Sequence, residues 1–302
     1  MVVVGAPFAI LGVLKGEDLE RAVTTFPLEA LAAATAIHLC WLCARSEAWR
    51  ISLNAAGAPI PRQAAHGASA IGYAAGMIQS AGGLPVRAVA LRKLAPQPPT
   101  IDRSMVAEAP VISLEAGVIA LIFLAGVATT PVLPAWGAVA VLAASVLAVA
   151  AMAVAGRRYS GHRLTAGLRV FADGERRLAL VGVVGVMTAL GLSRAVTVLI
   201  GADLPHDAAT IAILFAAMGL LGALPFGPGA APAAMIAVLG PIDAAAAASA
   251  GLAVVASSLL AVGVYSAVMS AATAMASTRI SDAACRAAAS TSRSPVPPDP
   301  GR

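Results

Sequence analysis

Charge is scarce in this chain. Asp, Glu, Lys and Arg make up 12% of 302 residues, against about a quarter in soluble domains. Aromatic residues are equally sparse at 4%, which excludes the stacking platforms of nucleic-acid binders. The net charge of +5 reads as membrane topology, with no nucleic-acid partner. Three cysteines exclude a disulfide framework. Cys40 and Cys43 spell C-W-L-C inside an apolar run, without the exposed helix N-terminus that activates a redox thiolate, so they read as thiols facing lipid or core. The histidines, His38, His66, His162 and His206, lack metal-ligand spacing. Phosphate loop, nucleophile elbow and dinucleotide fingerprint are all missing from the sequence. The expectation is a non-enzyme with no metal and no cofactor.

Apolar length is what the chain has. Apolar residues make up 59%, and the mean hydropathy is +0.87. A bilayer span needs roughly 20 apolar residues. Candidate spans are Leu28 to Leu42, Met105 to Gly126, Ala135 to Ala155, Leu178 to Ile200 and Ala244 to Met275, with a short first span at 2–14. No polar segment reaches the ~40 residues that a soluble core requires, so residues 1–276 read as one integral membrane domain. Residues 277–302, rich in Ser and Pro with scattered Arg, read as a disordered cytoplasmic tail.

Lys and Arg collect in cytoplasmic loops. The connections 45–62, 85–103 and 156–177 carry Arg or Lys excess, while 127–134 is uncharged and 201–207 carries Asp203 and Asp207. Two basic loops flank residues 64–84, so a complete crossing there conflicts with the charge pattern. A re-entrant hairpin resolves it, with Gly82, Gly83 and Pro85 letting the backbone leave the membrane. The same conflict recurs over 209–240, where Pro225, Pro228 and Gly229 supply a second break. The predicted fold is all-α, a polytopic transmembrane bundle of about six full spans plus two Gly/Pro-broken hairpins. Broken hairpins at corresponding places in two halves form the pattern of an inverted-repeat transporter, whose site lies between them. Both termini fall on the cytoplasmic side of an inner membrane.

Ionisable residues inside spans are costly and mark functional sites. Glu115 lies about ten residues into its span, roughly 15 Å deep. Glu108 precedes it by seven residues, so the two carboxylates share a helix face, with Pro110 perturbing the backbone between them. Arg194 sits near the outer end of its span, where it either snorkels outward, pairs with Glu115 or meets an anionic head group. Arg87 and Arg92 follow the first hairpin, where they read either as topological charges or as contacts to lipid phosphate. Gly72-x-x-x-Gly76 reads as close helix packing.

In its order of motifs the chain resembles the membrane region of the lysylphosphatidylglycerol synthase family. The anchors are ARSEAWRISLNAAG (44–57), GGLPVRAVALRKL (82–94), Glu108 and LPFGPGAAPAAM (224–235), and the resemblance extends over residues 10–275. On that alignment Arg87, Arg92, Glu108, Pro225, Pro228 and Gly229 match the family. Leu84, Ala109, Ile112 and Met235 replace its Glu, Arg, Asp and Glu. No soluble aminoacyl-transferase domain follows, so the resemblance implies the lipid-moving module alone. The expected function is translocation or presentation of an anionic or phospho-lipid. Head-group contacts would come from Arg87, Arg92 or Arg194, and pairing or proton-coupled roles from Glu108 and Glu115. The alternatives are a non-catalytic partner of a lipid-modifying or glycosyl-transferring enzyme, and a membrane-embedded lipid transferase.

Overall fold

A computed structural model describes residues 23–79, 82–128, 168–222 and 230–291, with single positions in 17–21 and 143–158. The expected first span at 2–14 and the turn residues Pro225, Pro228 and Gly229 lie outside the described residues, as does nearly all of the expected span at 135–155. Nine helices occur among the described residues: α1 Leu28–Ala55, α2 Arg62–Ile78, α3 Gly83–Leu94, α4 Ile101–Val106, α5 Ala109–Ala128, α6 Gly174–Gly201, α7 Ala208–Gly222, α8 Ala230–Leu239 and α9 Ala244–Thr291. No strand occurs among the described residues. Four stretches are long and apolar enough to cross a membrane: Leu28–Ala55, Ile101–Gly126, Gly174–Gly201 and Ala244–Met275. The helical membrane class expected from composition is therefore the class observed. The last helix continues to Thr291, past residue 277 where the expected tail begins. The alanines of SDAACRAAAST carry the helix propensity for this.

Helix starts differ between the halves. Pro27 and Pro61 precede α1 and α2, where proline fixes φ without removing a needed donor. Aspartates cap the later helices: Asp173 accepts from the backbone of Glu175 and Arg176, Asp207 from Ala209 and Thr210, and Asp243 from Ala245 and Ala246. Side-chain and backbone hydrogen bonds from Thr210 hold the exposed Asp207 carboxyl below the usual carboxylate range.

The helix order repeats. Helices α1, α2 and α3 start at 28, 62 and 83, and α6, α7 and α8 at 174, 208 and 230. The displacements are 146, 146 and 147 positions (174 − 28, 208 − 62, 230 − 83). Both α1 and α6 have 28 residues, and their ends are built alike. The amides of Ala56, Gly57 and Ala58 bond to the carbonyls of Ser52, Asn54 and Leu53, and those of Ala202, Asp203 and Leu204 to Val198, Ile200 and Leu199. Each pair is again 146 apart (202 − 56, 198 − 52). Gly57 and Asp203 both adopt positive φ, 79° and 53°, which is the left-handed C-terminal cap. Gly57 takes that conformation freely, whereas Asp203 is the sole non-glycine residue with positive φ among those described.

Packing follows the same symmetry. The most extensive contact in the bundle is between α1 and α6, and it is antiparallel: Arg176 at the start of α6 donates to the Asn54 carbonyl at the end of α1, while Gly201 approaches Phe26 and Ala30. Helix α9 crosses α2 where Tyr265 meets Tyr73, ring centroids 6.1 Å apart. Helix α5 crosses α7 where Ile119 meets Gly219. Residues 73 and 119 are each 146 positions before 219 and 265 (219 − 73, 265 − 119), so the two crossings are equivalent. Fully buried small residues recur in the interior, Ala65 and Ala68 in a cluster with Ala90 and Leu91, and Ala247 and Ala250 in one with Ala234 and Met235, and they let helix backbones approach where lipid supplies no hydrophobic drive.

Candidate functional site

Four charged side chains meet between α1, α3 and α5. Arg45 on α1 lies 2.9 Å from Glu108 and 3.1 Å from Glu115. Arg87 on α3 donates from Nη1 to Glu108 Oε1. Only 3% of Arg87 and 1% of Glu108 are exposed. Two cations therefore balance two carboxylates at a depth where one unpaired ion costs several kcal/mol. Two donors are left over: Arg87 Nε and Arg87 Nη2 are buried without a hydrogen-bond acceptor among the described residues.

Local structure explains the meeting. The helix breaks at Ala107 and Glu108, between α4 and α5, so Glu108 sits at the opening of α5, where Pro110 lacks the amide that an unbroken helix would use. Seven residues later Glu115 faces the same way, and Arg45 spans the two. The Arg87 guanidinium lies 3.6 Å above the Trp49 ring and 5.7 Å from the Tyr73 ring, a cation–π clamp. Trp49 is fixed in turn by its Nε1–H, which donates to the Ser104 carbonyl at 3.1 Å. Gly72 makes the approach of α3 feasible, because a Cβ there would stand 2.6 Å from the Arg87 Cβ.

A hydrogen-bonded chain borders this quartet. Glu47 meets Arg50 and Arg62, and its Oε1 lies 3.0 Å from His66 Nε2. His66 Nδ1 lies 2.6 Å from the Tyr265 hydroxyl, which lies 2.9 Å from Ser46 Oγ. Ser46 in turn donates to the Leu42 carbonyl at 2.8 Å. Each hydroxyl has one proton. With Ser46 donating to Leu42, Tyr265 donates to Ser46 and must accept from His66, which then carries protons on both nitrogens. With neutral His66, Tyr265 donates to the ring and Ser46 turns toward Tyr265. Replacing Tyr265 with Phe is expected to leave His66 Nδ1 unmatched and the fully buried Ser46 without its tyrosine contact, lowering stability by about 1–3 kcal/mol. Thermal melting in detergent measures it, and a melting point equal to wild type would show the chain to be idle.

Arg194 forms a separate centre and does not pair with Glu115, whose ion pair is to Arg45. Nor does it snorkel, since it is 9% exposed. Its Nη2 donates to the Val254 carbonyl, to Ser257 Oγ at 2.8 Å and to Ser258 Oγ at 2.7 Å. Its Nη1 lies 3.0 Å from His38 Nδ1. Arginine only donates, so His38 accepts at Nδ1 and carries its proton on Nε2; the ring also stacks on Trp41 at 5.4 Å.

Of the residues singled out in the sequence, Arg87, Glu108 and Glu115 converge. Arg92 does not: it is exposed in the last turn of α3, lining a shallow cleft with Pro98, Pro99, Thr100 and Ile101. Gly82, Gly83 and Pro85 lie where the chain turns from α2 into α3, between two antiparallel helices. Arg87 consequently sits inside the bundle, away from any outer lip. Sequence reasoning missed Arg45, Trp49, His66, Tyr73 and Tyr265. The connection 45–62 was expected to be a loop, whereas α1 carries it as helix to Ala55. The available signal was the helical spacing of Leu42, Ser46, Trp49 and Leu53, all four of which the structure buries.

No protein-family model matches the chain, and neither curated proteins nor solved structures give a match.

Proposed function

We propose that this chain translocates or presents an amphiphilic lipid with an anionic head group, along a path that passes the Arg45–Arg87–Glu108–Glu115 quartet. The observation that carries this reading is a charge-balanced cluster with unmatched arginine donors, on helices of which α1 and α4–α5 have membrane-crossing length. Such groups are retained inside membranes for ion or substrate pathways. Helices α2 and α3 have 17 and 12 residues, about 26 and 18 Å, and α7 and α8 have 15 and 10, about 22 and 15 Å. All are shorter than a ~30 Å hydrocarbon core, which favours two re-entrant hairpins. Equivalent helices running antiparallel favour an inverted repeat with alternating access between halves. We read the whole as about six full spans in an inner membrane with cytoplasmic termini, akin to the membrane region of the lysylphosphatidylglycerol synthase family.

Glu115 gives the cleanest test. Its side chain is 22% exposed, and Arg45 keeps Glu108 as a partner when Glu115 is neutralised. In vesicles containing fluorescent phosphatidylglycerol, wild-type protein is expected to speed movement between leaflets. Glu115→Gln is expected to slow it about tenfold while melting close to wild type. Equal rates in empty, wild-type and variant vesicles would dismiss the transport role.

A further inference from the structure

We propose that Arg194 is half of an anion site: the cradle formed by Arg194, Ser257, Ser258 and His38 binds a single oxyanion, carried by a phosphodiester head group. The repeat supplies the first step. Arg45 on α1 is met by two acids from the α4–α5 arm, at 108 and 115. Arg194 on α6 is met from the corresponding helix α9 at 254, 257 and 258. Position 108 corresponds to 254 under the 146-residue displacement (254 − 108), and 115 falls within one turn of 258. Where the first half presents Glu108 and Glu115, the second presents the Val254 carbonyl and two hydroxyls. Under the same displacement Arg45 falls on Gly191, and Arg194 lies three positions further on (194 − 45 = 149), less than one turn, so each half brings an arginine to this level, but no counter-charge accompanies the second among the described residues.

The second step is electrostatic. No carboxylate lies within ion-pair distance of Arg194 among the described residues. Its partners among the described residues are all neutral dipoles, and His38 is held in its neutral tautomer by the same contact. A buried guanidinium needs a counter-charge to offset its desolvation. Donors for one remain, because Arg194 Nε is buried without an acceptor, and Ser258 is only half-buried. Both serine hydroxyls now turn back to the Val254 carbonyl and are free to rotate toward an arriving oxygen. Charged acceptors strengthen such bonds roughly twofold over neutral ones.

Position is the third step. His38 precedes Arg45 by seven residues on α1, so it faces the same side about 10 Å along the axis. The two cationic centres are thus consecutive stations on one helix face. One of them holds its own anions, and the other would accept them from a ligand. This siting rests on the lipid-handling reading only for the source of the oxyanion; binding itself is measured without any transport.

Full-length protein in neutral maltoside detergent provides the test, at fixed ionic strength, with either sodium phosphate or phosphatidylglycerol as probe. A ligand that binds only the folded state raises the melting temperature. Phosphatidylglycerol is expected to raise it in wild type, and to bind Arg194→Gln about tenfold more weakly. Ser258→Asp supplies an internal carboxylate, so it is expected to melt higher than wild type without ligand and to lose the response to lipid. Should phosphate stabilise as well as the lipid does, the site takes a free oxyanion and the head-group assignment falls. No stabilisation of wild type by either probe, or an undiminished lipid response in both variants, would overturn the proposal. A positive binding result with no leaflet transfer would leave this site standing and remove the transport reading.

Discussion

Glu108→Gln is expected to be the most damaging single change in the bundle, lowering stability by about 3–5 kcal/mol, the range found when one partner of a buried pair is removed. Glu108 serves two arginines at once, Arg45 and Arg87. Its neutralisation leaves Arg87 with no carboxylate and Arg45 with Glu115 alone. Arg87 cannot reach water to compensate, being 3% exposed and clamped over Trp49. In a chain of this size the loss corresponds to a fall in melting temperature of roughly 10 °C. A double variant separates charge from packing. Arg87→Met with Glu108→Gln removes the stranded cation and is expected to recover a good part of the loss, since buried pairs are often replaceable by apolar side chains at little net cost. If the double variant melts lower than Glu108→Gln alone, by the sum of the single effects, the two side chains do not act as a pair.

Part of this site was legible in the sequence. The seven-residue spacing of Glu108 and Glu115 placed them on one face, and one arginine does bridge them. That arginine was not identifiable, because Arg45 stands among Glu47, Arg50 and Arg62 and reads as part of a basic loop. Charge counting locates cations along the chain but carries no information on which side of a helix they lie. The same limit explains Arg194. Its depth was visible, yet pairing it with Glu115 ignored the rise of α1, which separates the Arg45 and His38 layers by about 10 Å. The repeat was visible only as two Gly/Pro breaks. Few identities survive between halves, among them Leu53 and Leu199, Ala56 and Ala202, and Pro59 and Pro205. What is preserved is backbone: the same cap hydrogen bonds, made once with glycine and once with aspartate at positive φ. Backbone equivalence of that kind leaves little trace in side-chain identity, whereas the chemistry built on it diverged into an acid-balanced site and an acid-free one.

Gly72→Val is expected to be the next most damaging change, at about 3 kcal/mol for overpacking a close contact, and it tests whether helix separation sets the charge geometry. A Cβ at position 72 would lie 2.6 Å from the Arg87 Cβ and 3.0 Å from the Gly83 carbonyl. Neither obstacle is the end of a flexible side chain, so α2 and α3 must part. Parting moves Arg87 off both the Trp49 ring and Glu108, so destabilisation should come with altered tryptophan fluorescence. Gly76 is the internal control, since its added Cβ would meet nothing closer than Gly83 Cα at 3.9 Å. Gly76→Ala is expected to melt at or above wild type, because alanine also gains helix propensity of about 1 kcal/mol over glycine. Equal losses in Gly72→Val and Gly76→Ala would mean that glycine serves the hairpin through backbone flexibility. A loss confined to position 72 would tie the ion quartet to the distance between two helices, so that any motion opening the α2–α3 pair also opens the charged site.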